Sequence, residues 1–253
     1  MTLSYAALGS SFASGPGIAP VVDVAAMRSG ANYPHRLARL LGADLTDLTV
    51  SGATTATILA EQLPGLPESA DLVTVTAGGN DLRYMGSMLH TAWHRLRPRG
   101  IAAKMLAAEF PDGLVEPTAA DVARAVAGLA EIVDRVRERA PRARVLLVDY
   151  LTVVGEQTVP APGVPFEPDE IERFRGIQTT LEEVFVTAAA TSGADLVAVS
   201  GISRDHGLGA ADPWISPFTT DPATTHGSLH PNARGMAAVA NEIAKDGSTT
   251  APA

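Results

Sequence analysis

Gly9-Ser10-Ser11-Phe12-Ala13-Ser14-Gly15 follows the apolar run Ser4-Tyr5-Ala6-Ala7-Leu8, which places serine hydroxyls where a predicted strand ends. Glycine and small residues on both sides let the backbone turn sharply, aiming a hydroxyl and neighbouring N–H groups at one point. Such a serine is a candidate nucleophile, weak at its own pKa and in need of a base. Ser10 and Ser11 both stand in the turn. Three further segments carry matching chemistry at strand ends or helix starts, where sites form in open α/β sheets. They are Thr49-Val50-Ser51-Gly52-Ala53-Thr54-Thr55, Thr76-Ala77-Gly78-Gly79-Asn80-Asp81 and Leu229-His230-Pro231-Asn232. An imidazole can act as general base, and a glycine-turn N–H with an Asn amide can hold an oxyanion, so together the segments supply the parts of an acyl-transfer site. Taken singly, Gly52 also reads as a tight turn, Asn80 as a helix cap and His230 as a helix-start residue before proline.

In order, the four segments resemble the signature blocks of the SGNH hydrolases, or GDSL-type esterases and lipases. Asn32-Tyr33-Pro34 and Asp212-Pro213-Trp214 resemble the actinobacterial branch of that family, so the likeness runs from about residue 4 to 244. It implies a three-layer, flavodoxin-like α/β fold. It also implies Ser11 as nucleophile, His230 as general base, and an oxyanion hole formed by the N–H groups of Ser11 and Gly52 with the side-chain amide of Asn80. The implied reaction is hydrolysis of carboxylic esters through an acyl-enzyme on Ser11. An acyltransferase using the same residues and a non-catalytic ligand-binding member of the fold are the alternatives.

The chain departs from the family pattern twice. Ser10 stands where the Gly-Asp-Ser motif usually carries Asp, and Gly227 stands where an Asp usually precedes the His by three residues. The expected partner of the His230 ring is therefore the Gly227 carbonyl, with Asp205, Asp212 and Asp221 as more distant acidic alternatives. His206 is expected in a structural or pocket-wall role and His226 at the surface. His35, His90 and His94 fall in predicted helices, without a catalytic role.

The elements that must position these residues are legible in apolar periodicity. Short apolar runs at 4–8, 44–50, 71–77, 144–150 and 194–199 predict strands. Helices are predicted near 34–41, 54–62, 118–139, 168–192 and 232–245, with Pro168 near one start and Gly193 past its end. This alternation predicts about five mostly parallel strands with helices on both faces and right-handed crossovers. Residues 82–111 read as a helical insertion beside the site, in which Met85, Met88, Leu89, Trp93 and Leu96 recur at helical spacing. That stripe packs on the core, walls an acyl pocket, or both. Segments 159–168 and 200–228 read as surface loops, and 246–253 as a frayed tail.

Length and composition bound the rest. The 253 residues, 46% hydrophobic and 19% charged, fit one globular domain spanning 1–253. A net charge of −9, with scattered basic residues, argues against nucleic acid as a partner. The absence of cysteine excludes disulfides and thiolate chemistry. No metal-ligand motif, phosphate loop or dinucleotide fingerprint is present, so no cofactor is assigned. No apolar run approaches the roughly 18–20 residues that span a bilayer, so membrane insertion is not expected. The N-terminal residues lack the character of a signal peptide, which predicts a cytoplasmic protein, with a secreted mature form as the alternative. The expected partner is a small-molecule or lipid ester, the apolar stripe favouring an alkyl or aryl acyl group. Oligomeric state is not encoded in any feature of the sequence.

Overall fold

The protein is described here by a computed structural model covering residues 2–245; the tail expected at 246–253 lies outside the described residues. Strand Ser4–Gly9 (β1) runs into a one-turn helix, Ser11–Ser14 (α1), and a short antiparallel ribbon of Val21–Asp23 (β2) and Arg28–Ser29 (β3). Tyr33–Leu41 (α2), Asp44–Asp47 (β4) and Thr55–Thr57 (α3) follow, the last continuing as a π-helical turn over Ile58–Gln62. Then come Leu72–Thr76 (β5), Tyr84–Leu96 (α4), Ile101–Glu109 (α5), Ala119–Arg139 (α6) and Arg144–Val148 (β6). Pro168–Ser192 (α7), Asp195–Val197 (β7), Val199–Ile202 (α8) and Ala233–Lys245 (α9) complete the described chain.

Five strands form one parallel sheet in the order β4-β1-β5-β6-β7. The sequence moves from β1 one way to β4, then crosses back over β1 to β5 and onward to β7. Right-handed crossovers in opposite directions fall on opposite faces. Accordingly α2 packs with α9 in one layer, and α3, α6 and α7 pack together in the other. Sandwiched between them, β1 and β5 are buried along almost their whole length, which is why they read as unbroken apolar runs rather than alternating ones. The direction reverses beside β1, so the carboxyl ends of β1 and β5 bound the crevice where open α/β sheets place their ligands.

Among the described residues no helix is long and apolar enough to cross a membrane. The core is rich in tyrosine, and burial of each hydroxyl is offset by a partner. Tyr5 meets Thr74 at 2.8 Å, Tyr33 meets Thr76 at 2.9 Å, and Tyr84 donates to Gln178 at 3.0 Å.

Two expectations need adjustment. The strand expected over 44–50 is regular only to Asp47, whose buried carboxylate takes the N–H and hydroxyl of Thr49 at 3.0 and 2.6 Å; beyond it Leu48 and Val50 still donate to the Ala7 and Gly9 carbonyls of β1, at 2.9 and 3.0 Å. The 82–111 insertion is two helices, broken after Leu96 near Pro98 and Gly100. Met85 and Met88 are buried and Leu89 and Trp93 pack on the core, but Leu96 leaves the stripe at 48% exposure.

Candidate active site

The turn that carries the candidate nucleophile Ser11 is held by Gln62 and Thr76 where β1 ends. Gln62 donates to the Gly9 carbonyl at 3.0 Å and accepts the Gly9 N–H at 2.9 Å, while Ser10 N–H donates to Thr76 at 2.9 Å. Ser11 then opens α1, and its side chain faces a cavity. Ser10 points the other way. It is fully buried, and its hydroxyl meets the Tyr150 hydroxyl at 2.8 Å, which removes it as a nucleophile. The same Tyr150 oxygen accepts the Gly79 N–H at 3.3 Å. One hydroxyl thereby joins the turn before Ser11 to the turn before Asn80. Gly79 admits this close approach because a Cβ there would lie 2.8 Å from the tyrosine ring.

The second turn is pinned by Val50 N–H to Gly9 and Ser51 N–H to Ala26, both at 3.0 Å. Gly52 adopts φ +85, a left-handed conformation that a residue with a Cβ resists. Neither the Ser11 N–H nor the Gly52 N–H has a protein acceptor among the described residues. Asn80 is not a helix cap, since Arg83 holds that position in α4. Its Nδ2 donates to the Ala53 carbonyl at 2.8 Å, which fixes the amide and leaves the second N–H for another acceptor. Asp81 accepts the Thr55 N–H at 3.1 Å and the Thr55 hydroxyl at 2.6 Å, stitching the second and third turns together.

His230 is buried on the loop that enters α9, where Leu229 sits at φ +64. The residue two positions earlier supplies its partner: Nδ1 lies 2.9 Å from the Ser228 carbonyl. This corrects the expectation of Gly227, whose carbonyl instead accepts the His230 backbone N–H at 3.2 Å. The physical reason is the pairing of Leu229 and His230 with Ser216, which with the left-handed Leu229 turns the ring toward Ser228. A neutral carbonyl can accept only if Nδ1 carries the proton, leaving the Nε2 lone pair as the base. Burial lowers the pKa of His230 below its ordinary value, and the Ser228 carbonyl opposes that shift only in part.

The acidic alternatives are committed elsewhere. Asp221 caps the turn at Ala223–Thr225, Asp212 pairs with Arg234, and Asp205 lies beside Gln157. His206 stacks on Trp214 with centroids 3.8 Å apart and bonds the Asp212 carbonyl at 2.7 Å, a structural role. His226 is exposed, as expected, at the rim of the cavity.

Ser11, Gly52, Asn80 and His230 line one wall of a cavity of about 820 Å³. Met85, Leu89, Trp93, Leu106 and Phe110 from α4 and α5 make the opposite, apolar wall, joined by Met27 from the ribbon. No hydrogen bond joins Ser11 to His230; nucleophile–base contacts commonly tighten only around bound substrate. Sequence reasoning missed Gln62, Tyr150 and Ser228, none of which carries a local signal. It also missed Arg83 and Phe110 as wall residues, although both fall inside the stretch singled out as an insertion.

Residues 7–238 match the profile of the GDSL-like Lipase/Acylhydrolase family. Lipase 2 of Streptomyces coelicolor is 33% identical over 250 residues, covering 92% of this chain and 82% of that protein. The solved extracellular lipase of Streptomyces rimosus superposes with a TM-score of 0.76 at 24% identity, over 96% of this chain and 99% of that one. Phospholipase A1 of Streptomyces albidoflavus gives a TM-score of 0.77 at 23% identity, over 97% and 99%.

Proposed function

The chain belongs to the GDSL-like lipase/acylhydrolase family and is a carboxylic ester hydrolase, and we propose that it works through an acyl-enzyme on Ser11. The observation that carries this reading is the convergence of Ser11, His230 and the available donors of Ser11, Gly52 and Asn80 on one cavity. His230 Nε2 takes the Ser11 proton as Oγ attacks the ester carbon, and the carbonyl oxygen becomes an oxyanion. The N–H groups of Ser11 and Gly52 and the free Asn80 N–H hold that charge where it develops. Collapse of the intermediate breaks the ester C–O bond, with the His230 proton passing to the leaving alcohol. Water, deprotonated by the same imidazole, then attacks the acyl-enzyme and releases the acid. The Ser228 carbonyl fixes the tautomer and ring orientation in place of a triad carboxylate. The substrate is an ester with an apolar acyl group, seated against the α4 and α5 wall.

The test is intact-mass labelling with a fluorophosphonate, together with hydrolysis of p-nitrophenyl acetate and butyrate. Labelling and turnover are expected in the wild type and in Ser10→Ala, and are expected to vanish in Ser11→Ala, with turnover vanishing in His230→Ala. Labelling that survives Ser11→Ala would overturn the assignment of the nucleophile.

A further inference from the structure

We propose that Arg83 forms an anion-binding subsite inside the cavity, selecting esters that carry a phosphate or carboxylate group close to the scissile bond. This rests on the esterase reading above and adds a substrate class to it. Arg83 lines the same cavity as Ser11, Asn80 and His230. It belongs to the same tight turn as Asn80, since its N–H donates to the Asn80 carbonyl at 3.0 Å. Residues so joined have Cα atoms within about 7 Å, so the arginine springs from beside Asn80 and its side chain reaches along the cavity wall to Glu109 and Phe110.

The guanidinium has no carboxylate partner among the described residues. Asp81, two residues away, is taken by Thr55. Glu109 is the sole acid on the cavity wall, and Arg83 approaches its backbone carbonyl at 3.4 Å, not its carboxylate. The guanidinium carbon lies over the Phe110 ring, 5.0 Å from its centre, a cation–π contact that steadies the head group. One Nη donates to the Glu109 carbonyl, and the remaining guanidinium N–H groups have no protein acceptor among the described residues, so they can receive a phosphate or carboxylate oxygen. Arg83 also adopts φ +58, a left-handed backbone unusual for a residue with a side chain. Strain kept beside a catalytic turn is consistent with a functional demand on where that side chain points.

The experiment compares matched esters below their micellar concentrations. Dihexanoyl phosphatidate against dihexanoylglycerol places the charge on the alcohol side, and p-nitrophenyl hemisuccinate against p-nitrophenyl butyrate places it on the acyl side. In at least one pair the wild type is expected to favour the anionic ester in kcat/KM by about tenfold or more, the size of one charge-assisted contact. Arg83→Gln is expected to bring that ratio near one, mainly through KM, and Arg83→Lys to keep part of it. Arg97→Gln, at the exposed end of α4, serves as a control for general charge and leaves the ratio unchanged. Both esters are read on one protein sample, so any loss of folded material cancels in the ratio. A ratio that is the same in wild type and Arg83→Gln would overturn the subsite while leaving the esterase intact. Failure to hydrolyse any of the four esters would overturn the esterase reading and the subsite with it.

Discussion

Burial disfavours the protonated imidazole of His230, and at this residue that fact governs both rate and stability. In its proposed role as general base the imidazole acts only when neutral, so the acid limb of kcat/KM is expected to have its midpoint below the ordinary 6.5. A limb centred above that value in a pH–rate profile would contradict the geometry. The stability sign follows from the same depression: as pH falls below 6.5 the unfolded chain binds the proton first, so the folded form loses stability toward acid. Tyr150 is the other residue on which the site turns. Its hydroxyl sits between Ser10 and Gly79, so Tyr150→Phe keeps the ring but leaves a buried hydroxyl and a buried N–H without their partner. The expected cost is about 1–3 kcal/mol of stability in urea unfolding. The oxyanion donors would also lose their spacing, so kcat is expected to fall about tenfold with little change in KM, worth ~1.4 kcal/mol of barrier. In the double variant with Ser10→Ala the two losses should not add, because both changes break one bridge.

At the level of elements, the cavity owes its apolar wall to the way α5 leans on α4. A Cβ at Gly86 would lie 1.9 Å from the Phe110 ring, so the contact exists only because α4 carries glycine there. Gly86→Ala is expected to displace the ring, at a cost of about 1–3 kcal/mol from overpacking. The ring's open direction is the cavity, so a series of p-nitrophenyl esters should show kcat/KM falling for longer acyl chains while acetate is spared. An unchanged chain-length profile would show that Phe110 does not bound the acyl site. The helical spacing of Met85, Met88, Leu89 and Trp93 made the first of these helices readable in advance. The turn between the helices, and hence the facing of α5 toward the cavity, followed from no periodic signal.

For the whole molecule, Asp149 links the sheet to the segment beyond it. At the end of β6 its buried carboxylate accepts the Ser200 N–H at 2.9 Å and hydroxyl at 2.6 Å. Burial outweighs those bonds and raises its pKa from 3.8 to about 6. The folded form therefore holds the proton more tightly, and the stability this contributes at low pH is lost as pH rises through about 6. His230 contributes the opposite slope in this range, so the readout is a difference: the urea stability of the wild type relative to Asp149→Asn should fall as pH rises through that window. Several features were legible in the sequence itself: the strand and helix order, the four loops of the site, and the choice of Ser11, Gly52, Asn80 and His230, which the family resemblance implied and which share one cavity. Apolar periodicity, cap residues and glycine turns act between near neighbours, so they are readable along the chain. Tertiary structure alone decided that Tyr150, 140 positions from Ser10, bonds its hydroxyl, and that Gln62 clamps the end of β1. It also decided that Ser228 rather than Gly227 orients His230, and that Arg83 faces the cavity. Each of these depends on where distant segments come to rest once crossovers bring them together, and such contacts leave no local pattern in the sequence.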